Sequence, residues 1–179
     1  MALKASILKV NLSVANIDNH HYQDYNLTVA KHPSETDTRL VIRLAAFALY
    51  AKEEPQFTKG LCDDDEPDLW VVDPTGQIQH WIELGQPSEK RIRQACSKSQ
   101  QVTFIGYNET KFKAWVKGLD KRTLGTEKIN MVFLKNIGDL DTEELAQKNM
   151  ELSATLQEGQ ILLGCGDKQV TLEIKGRDL

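Results

Sequence analysis

Residues 67–84 read PDLWVVDPTGQIQHWIEL, and this stretch predicts a β-hairpin. Leu69–Val72 is a run of strand-forming residues, and Ile78–Leu84 is a second run that returns after a short interval. Between them, Asp73–Gly76 has the composition of a tight turn, because proline presets φ and glycine accepts a positive φ. The two ends of the hairpin are therefore predicted to lie side by side.

Each end of this hairpin carries a carboxylate, Asp68 on one strand and Glu83 on the other. Neighbouring strands lie ~4.8 Å apart, so the two residues are predicted to lie within a residue or two of opposite each other. Two carboxylates at this separation suit a shared Mg²⁺, which polarises a phosphodiester or lowers the pKa of a bound water. The structural alternative is an ion pair between Glu83 and an arginine of the preceding helix, Arg39 or Arg43. Ion-pair networks are common, so the pattern alone favours that alternative.

The chain before this hairpin predicts another hairpin and one long helix. Apolar residues alternate with polar residues over 8–14 and again over 25–29, which is typical of half-buried strands. Ser34 is predicted to be the helix N-cap, with Asp37 as its capping-box partner, and Pro55 is predicted to stop the helix. The apolar face of the helix comprises Leu40, Leu44, Phe47, Ala48 and Ala51, and another face carries Glu35, Arg39 and Arg43.

The chain after the central hairpin alternates helices with strands and then ends in strands. Helices are predicted over residues 88–98 and 109–118 and from residue 141, and strands over residues 57–62, 102–107, 129–134 and within 152–174. This order predicts an α/β fold, a mixed sheet flanked by helices, with an N-terminal β-hairpin and a C-terminal β-rich extension. Residues 1–179 are predicted to form a single domain, because this length suits one hydrophobic core.

Composition argues against several classes of protein. The net charge of −4 and the pI of about 5.6 disfavour a chain that coats nucleic acid through bulk charge, but they leave room for a local basic patch. The three cysteines are widely spaced without a CxxC pair, which indicates reduced thiols. No segment approaches the ~20 apolar residues of a membrane span, and no signal-peptide run begins the chain. We therefore expect a cytoplasmic protein with no membrane partner, and the sequence leaves the oligomeric state open.

Two clusters of basic residues follow the central hairpin. The first comprises Lys90, Arg91, Arg93 and Lys98, and the second comprises Lys111, Lys113, Lys117, Lys121 and Arg122. A helix start carries a partial positive charge, so the first cluster is suited to a phosphate backbone. A solvated helix face is the alternative for both clusters. For the second cluster, the inward Phe112, Trp115 and Val116 already explain the helix and favour that alternative.

Two sequence resemblances extend this interpretation. Pro67-Asp68 and Glu83-Leu84-Gly85 resemble the two halves of the PD-(D/E)xK nuclease motif, with Gly85 where the lysine belongs, and Glu35 resembles the acidic residue of the preceding helix. The narrower resemblance is to the YaeQ family, and it covers essentially the whole chain. It rests on the strings HPSET (residues 32–36), DDEP (64–67), WIELGQP (81–87) and EKRI (89–92).

These resemblances imply a PD-(D/E)xK nuclease-like fold and a set of site residues. The implied metal ligands for Mg²⁺ are Glu35, Asp68 and Glu83, with Glu66 as the substitute for Asp68. The implied catalytic residues are Asp68, Glu83, Lys90 in place of the missing lysine, and Gln86, which is nearer in sequence. The implied phosphate contacts are Arg39, Arg91 and Arg93.

The function expected from these residues is that of a metal-dependent phosphodiesterase or nuclease acting on nucleic acid. The alternative is a nuclease-like module without catalysis that binds nucleic acid or serves as a protein-interaction adaptor. The missing lysine at Gly85 and the acidic pI both favour this alternative. A small phosphorylated ligand in the same cleft is a third hypothesis. The YaeQ resemblance implies no activity, so it does not decide among these three hypotheses.

Overall fold

The computed structural model describes residues 5–59 and 65–176, which form one ten-stranded sheet and four α-helices. The strands are β1 (Ser6–Asn16), β2 (His21–Lys31), β3 (Gln56–Phe57), β4 (Leu69–Val72), β5 (Ile78–Leu84), β6 (Ser99–Gly106), β7 (Ile129–Asn136), β8 (Asn149–Gln157), β9 (Gln160–Cys165) and β10 (Lys168–Lys175). The helices are α1 (Asp37–Leu49), α2 (Glu89–Lys98), α3 (Glu109–Gly118) and α4 (Lys121–Leu124), and 3₁₀ turns lie at Ala51–Glu53 and Thr142–Leu145. In these two ranges, every helix falls short of the length and hydropathy that a transmembrane span requires.

The sheet curves until its two edge strands approach each other. Its strand order is β2-β1-β8-β9-β10-β7-β6-β5-β4-β3, with parallel pairing in β1/β8, β5/β6 and β6/β7 and antiparallel pairing elsewhere. Tyr25 on the edge strand β2 contacts Phe47 of α1 edge-to-face, with 5.0 Å between ring centroids. Phe47 stacks at 5.2 Å on Phe57 of the other edge strand, β3. The two edges therefore meet across one aromatic ring, and the sheet is nearly closed into a barrel.

Helix α1 lies inside this barrel-like sheet. Every residue from Leu40 to Ala48 is buried, on all sides of the helix. Residues 40–49 read LVIRLAAFAL, and a segment that is apolar at nearly every position is typical of a helix surrounded by protein. The inner face of the sheet packs against it through side chains that include Val10, Leu12, Leu152, Leu163 and Leu172.

A second, smaller core lies outside the sheet, beneath α2 and α3. Trp81 and Phe104 supply it from the strands, and Ile92 and Phe112 supply it from the helices. Gly106 permits the close approach of α3, because a Cβ at this position would lie 2.1 Å from the Phe112 ring. These two helices and α4 form the outer helical layer, which covers only one part of the sheet.

The predicted fold class, a nuclease-like mixed sheet flanked by helices, is wrong. In the described residues strand is the predominant regular structure, and the longest helix lies within a nearly closed ten-stranded sheet rather than on a flank. The predicted N-terminal hairpin and C-terminal β-rich extension are β1, β2 and β8–β10, which are half of the barrel-like sheet itself. The physical reason is that α1 has no polar stripe along residues 40–48, so its whole surface needs to be covered by other parts of the chain, here the curved sheet and the turn at Thr142–Leu145.

Two local predictions also need correction. The N-cap of α1 is Thr36 rather than Ser34, because the Thr36 hydroxyl accepts the Arg39 backbone N–H at 3.2 Å. The strand predicted over residues 57–62 is the two-residue β3, and residues 60–62, with Cys62, lie outside the described residues. The central hairpin, in contrast, is confirmed as β4 and β5.

Truncation of α1 inside the barrel tests this architecture. Ile42 is 1% exposed, so Ile42→Ala leaves a cavity and is expected to lower the free energy of unfolding by about 2–5 kcal/mol. The matched substitution Ile137→Ala, at a residue that is 45% exposed, is expected to change it by no more than about 0.5 kcal/mol. Urea denaturation measures both values, and equal decreases would contradict the enclosed helix.

Candidate functional site

The central hairpin places Asp68 and Glu83 beside each other, as the sequence predicts. Leu69 pairs with Ile82 in the antiparallel register, so the residues that flank this pair meet at the same end. The Asp68 carboxylate accepts the backbone N–H of Leu84 at 2.8 Å through Oδ2. Asp68 therefore closes the open end of the hairpin with a buried hydrogen bond.

Glu83 lies on the outer face of the sheet with Trp81, because side chains alternate along β5. Its Oε2 accepts the indole N–H of Trp81 at 2.8 Å, and the Arg91 Nε of α2 lies 3.0 Å from it. The Arg91 guanidinium also lies 4.9 Å from the centre of the Trp81 ring, which is cation–π distance. Ile82 and Leu84 point to the other face, toward α1. The expected partner of Glu83, Arg39 or Arg43, is thus replaced by Arg91.

Glu35 and Asp68 are joined by Arg39 on the α1 side. Arg39 lies 3.0 Å from Glu35 and 2.7 Å from Asp68, while Arg43 lies 2.9 Å from Glu35 and donates to the carbonyl oxygen of Ala30 at 2.7 Å. The four side chains are 1% to 12% exposed. Glu35 precedes the N-cap Thr36, so it lies before the first turn of the helix rather than within it.

Together these side chains form an arginine–carboxylate network whose charges cancel. It comprises the carboxylates of Glu35, Asp68 and Glu83 and the guanidinium groups of Arg39, Arg43 and Arg91. Burial by itself lowers the pKa of Arg39, but the Asp68 and Glu35 carboxylates outweigh burial, so the pKa of Arg39 is raised. Burial raises the pKa of Glu83, and the Trp81 hydrogen bond and Arg91 offset that rise only in part. Buried charges persist when they are paired, and each ionised group of this network lies against a group of opposite charge.

The acidic residues do not form a ready cradle for a divalent cation. Within the two described ranges, no three His, Cys, Asp or Glu side chains converge as metal ligands. Asp68 Oδ1 is buried without a well-formed hydrogen bond, yet it lies 2.7 Å from the Arg39 guanidinium and so faces a cation already. Glu66 accepts the backbone N–H of Lys59 at 3.2 Å instead of joining Asp68. These carboxylates would fit Mg²⁺ only if the arginines paired with them were displaced. The Mg²⁺ site therefore stays a prediction.

The remaining predicted site residues lie at the surface. Lys90 and Gln86 are exposed, and neither hydrogen-bonds to Asp68 or Glu83 in the part of the chain that is described. Arg93 is exposed as well and lies 3.5 Å from Glu89. Gly85, at the position of the motif lysine, has φ +101°, a conformation that a lysine would adopt only with strain.

A second polar group lies inside the barrel, around His80, for which alternation along the strand predicts a core or interface position; the sequence gives no sign of its partners. His80 lies 2.7 Å from Glu53 through Nδ1 and 2.8 Å from the Thr103 hydroxyl through Nε2. His80 and Thr103 are fully buried, so this chain of hydrogen bonds fastens the turn after α1 to the sheet rather than presenting a nucleophile. The available signal was parity along β5, since His80 shares the inward face of Ile82 and Leu84.

The raised pKa of Glu83 predicts a pH dependence of stability. Between the ordinary value of 4.5 and the raised value, the folded state binds more protons than the unfolded state, so stability falls as pH rises through this window. Glu83→Gln removes that fall, so the free energy of unfolding of the variant relative to the wild type is expected to rise as pH increases above 4.5. Urea denaturation across this range measures the difference. The exposed Glu127→Gln is the control, and a pH-independent difference for Glu83→Gln would contradict the prediction.

Comparisons with known proteins identify the family. A family model described as YaeQ protein matches residues 1–174. The proteins named "Uncharacterized protein YaeQ" from Escherichia coli (strain K12) and Salmonella typhi are each 38% identical to this chain, over 97% and 98% of it and 95% and 96% of their own lengths. The crystal structure of YaeQ protein from Xanthomonas axonopodis pv. citri has a TM-score of 0.90 at 36% identity, covering 97% of this chain and 98% of that one. That of YaeQ protein from Pseudomonas syringae has a TM-score of 0.80 at 26% identity, covering 96% and 95%. The chain therefore belongs to the YaeQ family.

Proposed function

We propose that this protein is a non-catalytic module that binds the phosphate backbone of nucleic acid through its outer helical layer. The observation that carries the proposal is the segregation of charge along the chain. Residues 89–135 contain eleven Lys and Arg and only four Asp and Glu, whereas the remaining residues contain eleven Lys and Arg and twenty-two Asp and Glu. The acidic net charge thus conceals a strongly basic segment, and that segment includes all of the outer helical layer.

The cations of this layer are displayed to solvent. Among the described residues, no carboxylate forms an ion pair with the exposed Lys90, Lys111, Lys117, Lys121 or Arg122. Unpaired ammonium and guanidinium groups that are exposed on one layer of helices attract a polyanion and release its counterions when it binds. Contacts of this kind position a protein on the backbone and carry no sequence information, so we expect binding with little sequence preference.

The arginine–carboxylate network has a supporting role in this proposal. Arg91 links α2 to Glu83 of β5 from beneath, and the Trp115 indole N–H of α3 donates to the carbonyl oxygen of Pro87, just before α2, at 2.8 Å. These interactions fix the two helices to each other and to the sheet. The layer is therefore rigid before it meets a ligand, which lowers the entropic cost of binding.

Paired lysine substitutions test the proposal. The double variant Lys111→Gln/Lys117→Gln is expected to weaken binding of a mixed-sequence oligonucleotide, single-stranded or duplex. It is also expected to reduce the slope of log K against log salt by about 0.7–0.9 for each phosphate that the variant no longer neutralises. The control Lys9→Gln/Lys148→Gln removes the same charge from exposed positions outside the layer. Fluorescence anisotropy at several salt concentrations measures both. Equal weakening by the two variants, or no binding by the wild type at low salt, would refute the proposal.

The metal-dependent phosphodiesterase remains a second hypothesis, and one observation favours it. The buried Oδ1 of Asp68 lacks a well-formed hydrogen bond and lies close to Glu83, where the PD-(D/E)xK-like motif would place a cation. Membership of that superfamily stays a prediction from the motif alone. The hypothesis needs Arg39 to move away from Asp68, which would leave a buried guanidinium without that partner.

Calorimetric titration of Mg²⁺ and Mn²⁺ into the wild type and Glu83→Ala separates the two functions. Because the carboxylates are already neutralised by arginines, we expect no binding heat in either protein. Heat that appears in the wild type and not in Glu83→Ala would favour the phosphodiesterase. A cleavage assay with either ion on single-stranded, duplex and structured substrates would then decide whether the protein is an enzyme.

A further inference from the structure

The exposed carboxylate of Asp65 lies against the basic side of α2. Oδ1 of Asp65 accepts the side-chain amide N–H of Gln94 at 2.8 Å and lies 3.2 Å from the Lys98 ammonium. Gln94 and Lys98 are four residues apart, so they lie on one face of the helix, and both direct donors at the same oxygen. Asp65 and Lys98 retain 78% and 40% of their side-chain exposure, so this pairing is open to solvent.

The neighbouring backbone is held on the same helix. Arg91, one turn before Gln94, donates to the carbonyl oxygen of Glu66 at 2.6 Å through Nη2. Arg91 is also fixed from behind by Glu83 and Trp81. Three side chains of α2 therefore hold Asp65 and Glu66 against the outer helical layer, and the carboxylate of Asp65 is the most exposed of the groups they hold.

The donors that bind Asp65 match the oxygen atoms of a phosphodiester. The amide N–H and the ammonium group are hydrogen-bond donors and need acceptor atoms. The oxygens of a carboxylate and those of a phosphate are both such acceptors. An exposed carboxylate–ammonium pair is weak because water screens it. A phosphodiester in a nucleic acid is linked to other phosphates, and these interact with the other lysines of the layer. The single carboxylate of Asp65 lacks such additional interactions.

We propose that Gln94 and Lys98 form a phosphate subsite, and that Asp65 occupies this subsite in the free protein until nucleic acid displaces it. This inference rests on the proposed function and adds to it one position on the backbone-binding surface and an internal competitor for that position. Its consequence is that the wild type binds phosphodiesters more weakly than its basic layer alone would permit. Asp65 thus limits affinity without touching the ligand.

The matched variants Asp65→Asn and Asp24→Asn test the subsite. Both remove one exposed carboxylate and change the net charge equally, but Asp24 lies on β2, away from the outer helical layer. Asp65→Asn is expected to bind the single-stranded oligonucleotide about threefold to tenfold more tightly than the wild type at low salt, and Asp24→Asn is expected to match the wild type. Thermal denaturation of each variant checks that the fold is retained.

A double-mutant cycle assigns the gain to the pairing of Asp65 with Lys98. In a Lys98→Gln background, Asp65→Asn is expected to give little further gain, because the subsite already lacks its ammonium group. If the wild type, Asp65→Asn and Asp24→Asn all bind the oligonucleotide with the same affinity, the subsite is overturned and the proposed function is not. Absence of binding by the wild type and Asp65→Asn would overturn the proposed function together with the subsite.

Discussion

Buried arginines on α1 require carboxylate partners, and this requirement fixes how the enclosed helix meets the central hairpin. Arg39 and Arg43 enter the barrel with the helix, and an unpaired guanidinium there would be costly. Glu35 and Asp68 supply the negative charge from the segment before the helix and from the start of β4. Because Asp68 also binds the backbone of β5, one carboxylate joins the helix, both hairpin strands and the end of the sheet.

The same residue types perform a different task on the outside of the sheet. Arg91 repeats the pairing of an arginine with a hairpin acid, but its partner Glu83 faces α2 rather than α1. The sheet therefore carries one arginine–carboxylate group on each face, and the outer group anchors the basic helices. A protein with an acidic net charge can in this way hold a rigid cationic surface, because the cations are concentrated on elements that the network positions.

Much of the local structure could be predicted from the sequence, and the arrangement of the elements could not. The turn at Asp73–Gly76, the strands on either side of it and the adjacency of Asp68 and Glu83 follow from short-range rules. The predicted fold class is wrong because it treats α1 as apolar on one face only. The full run from Leu40 to Ala48 indicates a helix enclosed on all sides, and that signal is present in the sequence.

The order of amino acids was sufficient to establish the family, the hairpin and the presence of acids and arginines near its ends. The pairing of each acid with its arginine depended on three-dimensional packing, since the partner of Glu83 lies on α2 and that of Asp68 lies on α1. Side-chain parity puts Glu83 on the outer face but does not name the helix that covers that face. That helix is α2, which follows β5 directly, so Arg91 lies only eight residues after Glu83. The Asp68–Arg39 pair, in contrast, joins residues 29 positions apart, and local patterns carry no information about such a contact because it arises only when the sheet curves around α1.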